Sequence, residues 1–186
     1  MTTLTADSIP GYVAGIWTID AAHSEIGFSV RHLAISKVRG TFEQFTATVT
    51  AAENPLESSL VVTVDIASIN TKNTDRDAHL RSNDFFAPDE YPTMEFRSTG
   101  IRSEGDTMLL DGDLTLRGVT KPVTFRGEFG GIAQDPWGNT VAAANGTATI
   151  NRHDFGVSWN APLEAGGFLL GDEVTIIIEA QFQLQS

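Results

Sequence analysis

The chain contains no cysteine, so disulfide staples, thiolate nucleophiles and cysteine-held metals are excluded. Nowhere do about eighteen apolar residues follow one another, which argues against a membrane-spanning helix. Met1 to Gly15 has neither a basic start nor an apolar stretch of signal-peptide length, and the expected location is the cytoplasm; a trimmed chain would fit the periplasm or secretion instead. Cations are also scarce. Twelve Lys and Arg face twenty-four Asp and Glu, a net charge of −12 that argues against nucleic acid and anionic membrane surfaces as partners and against stable membrane insertion. GxSxG, P-loop, GxGxxG and HExxH patterns are all missing, so no cofactor, no metal and no enzymatic activity is expected from motifs.

What the chain does have is alternation. Ile26, Phe28 and Val30 alternate with Gly27, Ser29 and Arg31, the period-two signature of a half-buried strand, and the same face ends on His32. Val38, Gly40 and Phe42 continue the pattern, which slips at Glu43-Gln44 and resumes at Phe45, Ala47 and Val49; a bulge is expected there. Leu60 to Ile66, Met94 to Arg97, Met108 to Leu116, Val123 to Phe129, Val141 to Ile150 and Val174 to Leu184 read as further strands, with a turn at Glu104-Gly105-Asp106 and another at Asp135 to Asn139. The expected fold class is all-β, about eight or nine antiparallel strands without βαβ rhythm. Closure into a barrel would remove the sheet edges, and about eight strands enclose either a filled core or room for one small ligand. Residues 1–15 read as an arm and 16–186 as one domain.

Ser68 to Phe96 breaks the alternation. Thr74 followed by Asp77 has the form of a capping box, and a short helix is expected from Asp75 to Asn83, stopped by Asn83-Asp84, Pro88 and Pro92. Phe85-Phe86 and Tyr91 beside that polar helix need an apolar partner, and the open end of the strand container supplies one; the segment reads as a lid. The four histidines, His23, His32, His79 and His153, lack metal-ligand spacing, and His23 and His32 are expected to fix strand ends by hydrogen bonding. The acidic residues Asp75, Asp77 and Asp84 beside Arg76 and Arg81 suit a salt-bridged surface helix better than an acid–base pair.

Several runs resemble the YceI-like family. They are Trp17-Thr18-Ile19-Asp20 with His23-Ser24, Phe28 to His32, Ser68-Ile69-Asn70-Thr71, His79 to Phe86, Leu114 to Val123, and Ile150-Asn151-Arg152-His153-Asp154-Phe155-Gly156-Val157, in the family's order from about Trp17 to Phe182. The resemblance implies a lipocalin-like, extended antiparallel β-barrel with a short helical lid insertion, whose apolar lumen takes a long-chain isoprenoid lipid with a polyprenyl or quinone-type tail, for sequestration, storage or transport. Many members are periplasmic or secreted, and this chain departs by showing no signal peptide. With the inward parity above, the residues expected to touch such a ligand are Phe28, Val30, His32, Phe42, Phe45, Phe96, Phe125, Phe129 and Ile178 on strands, Phe85 and Phe86 at the mouth, and Phe155 and Trp159 in the irregular segment before the last strand. Two rivals stand beside a lipid carrier. A barrel enzyme on a small hydrophobic substrate would need titratable groups inside, for which the strands offer mainly His32 and, depending on parity, Asn145. A filled-core, stress-associated structural domain would bind nothing. Edge segments near the amino terminus leave a homodimer open.

Overall fold

The computed structural model describes residues 4–164 and 166–185. Strands β1 (Gly15–Ile19), β2 (Glu25–His32), β3 (Ser36–Phe42), β4 (Phe45–Ala51), β5 (Ser59–Asp65), β6 (Ile69–Asn70), β7 (Thr93–Glu104), β8 (Thr107–Leu116), β9 (Val119–Gln134), β10 (Thr140–Asn151) and β11 (Leu170–Leu184) form a single antiparallel sheet. The eight strands β1-β4-β5-β7-β8-β9-β10-β11 close on themselves through the β1–β11 pairing. The fold is therefore a closed antiparallel barrel, as expected, with three extra strands.

Those extra strands are continuations. β1 and β2 lie end to end along the same edge of β11, Ile19 opposite Phe182 and Glu25 opposite Glu179. β3 and β4 follow the same course one strand further out, and the jog between them falls at Glu43-Gln44, where the apolar parity slips; it is a break between two strands rather than the expected bulge within one. Ser68 secures the jog: its backbone carbonyl accepts from Glu43 N–H at 3.1 Å and its Oγ from Gln44 N–H at 3.0 Å. The upper end of the barrel is thus framed by β2, β3, β6 and the β8–β9 turn. The lower end carries the β7–β8 and β9–β10 turns and the amino-terminal arm, whose Tyr12 hydroxyl donates to the Ala52 carbonyl at 2.6 Å.

Glycine appears where strands or rings come close. Gly127 faces Gly146 across β9 and β10, and a Cβ there would collide with the Asn145 carbonyl, so the small residues of β10 answer to a neighbouring strand. Asn145 itself points outward; it is exposed, and its Oδ1 accepts from the Glu128 N–H at 3.2 Å. The inward face of β10 is Ala142, Ala144, Gly146, Ala148 and Ile150, and Asn145, on the other face, still borders the lower of the barrel's two chambers beside Glu128.

The lid helix α1 (Thr74–Leu80) is shorter than expected, and its cap is a different residue. Asn73 is the N-cap, its Oδ1 accepting from Arg76 N–H at 3.0 Å. Asp77 is no part of a capping box. It is buried and accepts from the Thr71 N–H at 2.9 Å and the Thr71 hydroxyl at 2.6 Å, because the chain leaving β6 turns directly beneath the helix.

Candidate functional site

Inward side chains from the barrel leave two apolar chambers stacked along its axis. The lower, about 200 Å³, is walled by β-strand residues such as Leu60, Val62, Phe96, Leu110, Phe125, Ile178 and Phe182. The upper, about 220 Å³, lies under the lid and is walled by Phe28, Val30, Phe42, Leu80, Phe85, Phe86, Ile150 and Trp159 among others. Ile26, Met94 and Ile176 belong to both walls and form a waist between them. An apolar cavity of about 150 Å³ stays dry and takes up benzene, so each chamber is large enough to hold a hydrocarbon segment.

Of the residues expected on the lumen, Phe28, Val30, His32, Phe42, Phe85, Phe86 and Trp159 line the upper chamber, and Phe96, Phe125, Phe129 and Ile178 the lower. Phe45 and Phe155 line neither. Phe45 packs half-buried against the core opposite Val64. Phe155, 1% exposed, fills the space behind the upper wall in the 3-10 turn Arg152–Phe155. Its ring belongs to the main hydrophobic core, beside the stretch where β10 beyond Thr147 pairs with β11 alone and leaves a gap toward β9.

The lid is an aromatic plug held by hydrogen bonds. Phe85 is buried, its ring centroid 5.0 Å from His79 and 5.4 Å from Trp159, while Phe86 meets Phe42 edge-on at 6.2 Å. Tyr91 does not reach the mouth; its ring packs over Gly118 in the β8–β9 turn. Arg81 donates to the Ala67 and Ile69 carbonyls, each at 2.9 Å. Arg117 donates to the Asn83 carbonyl on the lid at 2.8 Å and to the Gly156 carbonyl at 2.5 Å, joining the lid to the opposite wall.

Polar groups reach the upper chamber and almost none the lower. His32, Arg76, His79 and Arg152 line the upper chamber. Three of them have structural partners. Arg76 donates to the hydroxyl and carbonyl of Thr71, both at 2.7 Å. His79 Nε2 lies 2.9 Å from Asp84. Arg152, 4% exposed, donates to the carbonyls of Gly171, Val157 and Trp159, each at 2.8 Å, and its Nη2 has no partner among the described residues. Burial pulls the Arg152 guanidinium pKa down, against an opposing pull from Asp172. Sequence reading missed Arg152 because its side chain leaves a turn rather than a strand, where parity says nothing of depth.

His23 Nδ1 lies 2.7 Å from Asp20, whose pKa is lowered by that hydrogen bond above all, and His153 Nε2 lies 2.8 Å from Asp172. The expected strand-end role fits His23, while His32 lies on the chamber wall instead.

The YceI-like domain model matches residues 17–182. A UPF0312 protein of Staphylococcus aureus strain MSSA476 is 41% identical over 171 residues, covering 90% of this chain and 97% of its own. A YceI protein of Campylobacter jejuni shares the fold at a TM-score of 0.69 with 31% identity, covering 90% of this chain and 96% of its own. A polyisoprenoid binding domain from Saccharophagus degradans, implicated in plant cell wall breakdown, superposes at a TM-score of 0.67 with 13% identity over 91% of this chain and 98% of its own.

Proposed function

The chain belongs to the YceI-like family, and from that membership we propose that its lumen binds a long-chain isoprenoid lipid, a polyprenyl or quinone-type tail running through both chambers. The observation that carries this reading is the pair of apolar chambers meeting at Ile26, Met94 and Ile176 beneath an aromatic lid. The fold neighbour from Saccharophagus degradans, a polyisoprenoid binding domain, supports the same ligand class.

The energetics suffice without a head-group site. Burying a methylene contributes roughly 0.8 kcal/mol, so a five-carbon isoprene unit contributes about 3 to 4 kcal/mol at most. Association costs about 4 to 15 kcal/mol in lost freedom, which a tail of several units offsets. Binding is favoured over catalysis because the polar groups on the upper wall that have partners hold backbone or helix in place. Arg76, His79 and Arg152 are engaged with Thr71, Asp84 and three carbonyls.

The test is organic extraction of freshly purified protein with mass spectrometry, followed by titration with prenyl alcohols of increasing length, each beside its phosphate. A co-purifying isoprenoid and affinity rising with each unit until the tail outgrows the barrel are expected. Affinity independent of length but lost with the phosphate would overturn the reading.

A further inference from the structure

The chambers account for the inward apolar residues and leave three large ones in solvent above the upper mouth. Ile35 is 84% exposed, Phe168 62% and Leu33 39%. They sit on two connections that are tied together: the tip of the β2–β3 hairpin and the segment entering β11, joined by the Leu33 N–H donating to the Leu169 carbonyl at 2.8 Å. Leu169 and Leu170 on that segment, and His32 and Val38 on the hairpin, line the upper chamber. The solvent-facing apolar group is continuous with the chamber wall below it.

The hairpin holds these residues against local preference. Leu33 and Ala34 both adopt left-handed backbone, φ 56° and 59°, in the three-residue connection Leu33–Ile35, a conformation that suits Asn or Gly. Strain of this kind persists where something other than local stability retains it. The flanking strands repeat the point with charge. Arg31 stands directly opposite Lys37, and Arg39 stands two residues further along the same exposed face, although like charges facing each other across a strand pair repel.

Three of the twelve cations of a chain of net charge −12 thus gather on one hairpin. Nearby carboxylates are Asp172 and Glu173, which share a surface hollow with Arg31 and Lys37, and Asp172 is already held by His153; Glu164 and Asp154 lie exposed on the adjoining loop and turn. At the lower end the turns present Glu104, Asp106 and Asp135, with Arg126 3.4 Å from Glu104 and Arg102 held by Asp111, and the exposed Trp137 there has no cation within its turn. The hairpin thus sets a local basic collar around the apolar tip, while the lid beside the same mouth carries the exposed carboxylates Asp75, Asp84, Asp89 and Glu90.

We propose that the Leu33–Ile35 tip and Phe168 dock on an anionic lipid bilayer. Ile35 and Phe168 enter the interface, Arg31, Lys37 and Arg39 face the headgroups, and the upper mouth is presented to lipids in the bilayer. This rests on the isoprenoid-binding reading, which makes a bilayer the source or destination of the ligand. Net charge misleads here because a surface field is local: beyond about 8 Å at physiological salt the carboxylates of the far end are screened. The contact is peripheral and reversible, since a hairpin tip and one ring insert rather than a spanning element.

The experiment is co-sedimentation with vesicles of phosphatidylcholine alone and of phosphatidylcholine mixed with phosphatidylglycerol, at low and high salt. Wild-type protein sediments with the mixed vesicles at low salt, and at least about tenfold less with neutral vesicles or at high salt. The pair Ile35→Ser and Phe168→Ser abolishes sedimentation, and the pair Lys37→Glu and Arg39→Glu removes the preference for the anionic lipid. All four residues are exposed, so titration with a soluble short prenyl alcohol is unchanged in both variants. Wild-type protein left in the supernatant with every vesicle, or sedimentation indifferent to the Ile35 and Phe168 changes, overturns the proposal. So does a wild-type dimer by light scattering that those two changes convert to monomer, because the patch would then be a self-interface. Vesicle binding without prenyl-alcohol binding removes the lumen reading alone and leaves the docking edge standing.

Discussion

The ring of Phe96 on β7 occupies the space over Gly112 on β8 that a Cβ at 112 would need, with the Arg97 carbonyl 2.5 Å from the same point. Held there, Phe96 meets Phe125 edge-on at 5.1 Å, and the two rings form part of the lower chamber's wall. Phe28 covers Gly40 on the neighbouring pair in the same way. A glycine on one strand thus sets how far an aromatic on the next intrudes into the lumen.

Gly112→Ala is therefore expected to push Phe96 off its seat toward the chamber. Overpacking of this kind costs about 1 to 3 kcal/mol. Urea unfolding should show that loss, and titration should show long prenyl alcohols weakened more than short ones. Equal weakening at all lengths would mean that Phe96 does not control the lower chamber.

Met94→Trp should plug the waist. Long tails are then expected to bind no more tightly than tails that fill the upper chamber alone. Met94→Ala, by contrast, should keep the length dependence while costing about 2 to 5 kcal/mol of stability. A length series run on both variants decides this.

Phe85 and Phe86 should behave differently although they are adjacent. Phe85 is buried between His79 and Trp159, and Phe85→Ala should cost about 3 to 5 kcal/mol, as buried aromatics do. Phe86 is half-buried on the chamber wall, so Phe86→Ser should speed ligand release with a smaller loss of stability. The comparison needs only a melt and a dissociation rate for each.

Asp77→Asn removes one of the most buried polar contacts of the lid. An amide oxygen in place of the carboxylate weakens acceptance from the Thr71 N–H and hydroxyl, and about 1 to 3 kcal/mol is expected. Hydrogen exchange at the Thr71 amide should accelerate, and retention of bound lipid should shorten. Unchanged protection at Thr71 would show that the helix is held by Asn73 and Arg81 instead.

Asp111 gives the pH dependence. Arg102 donates to both its oxygens, at 2.7 and 2.9 Å, and with Thr124 holds its pKa down to about 2 from the ordinary 3.8. A depressed carboxylate contributes stability that is present above 3.8 and lost as pH falls through about 2. The pair is solvent-exposed, so the effect on stability is small, but a carboxylate carbon titration resolves it. Arg102→Met should move the Asp111 midpoint back toward 3.8.

Much of this molecule is written in period-two alternation, which depends only on neighbours. Inward Phe28, Phe96, Phe125 and Ile178, the slip at Glu43-Gln44 and the turn at Gly105 were all legible, because a pleated strand puts alternate side chains on opposite faces wherever it sits. Depth and closure are not local. That β1 meets β11 and seals eight strands, that Met94 faces Ile26 and Ile176 to divide the lumen, and that Phe155 stands behind the wall rather than on it depend on pairings between residues far apart in the chain. Asn145 turned outward because its face is fixed by the neighbours that Gly146 and Ala144 pack against, which a run of small residues does not reveal. Arg152 and Asp77 became buried anchors because the chain beside each folds back on it, bringing the Val157 and Trp159 carbonyls to Arg152 and the Thr71 amide and hydroxyl to Asp77, with Gly171 reaching Arg152 from further along. A charged side chain on a turn reads as solvated until the tertiary fold supplies those partners, and only the fold then decides that it is core.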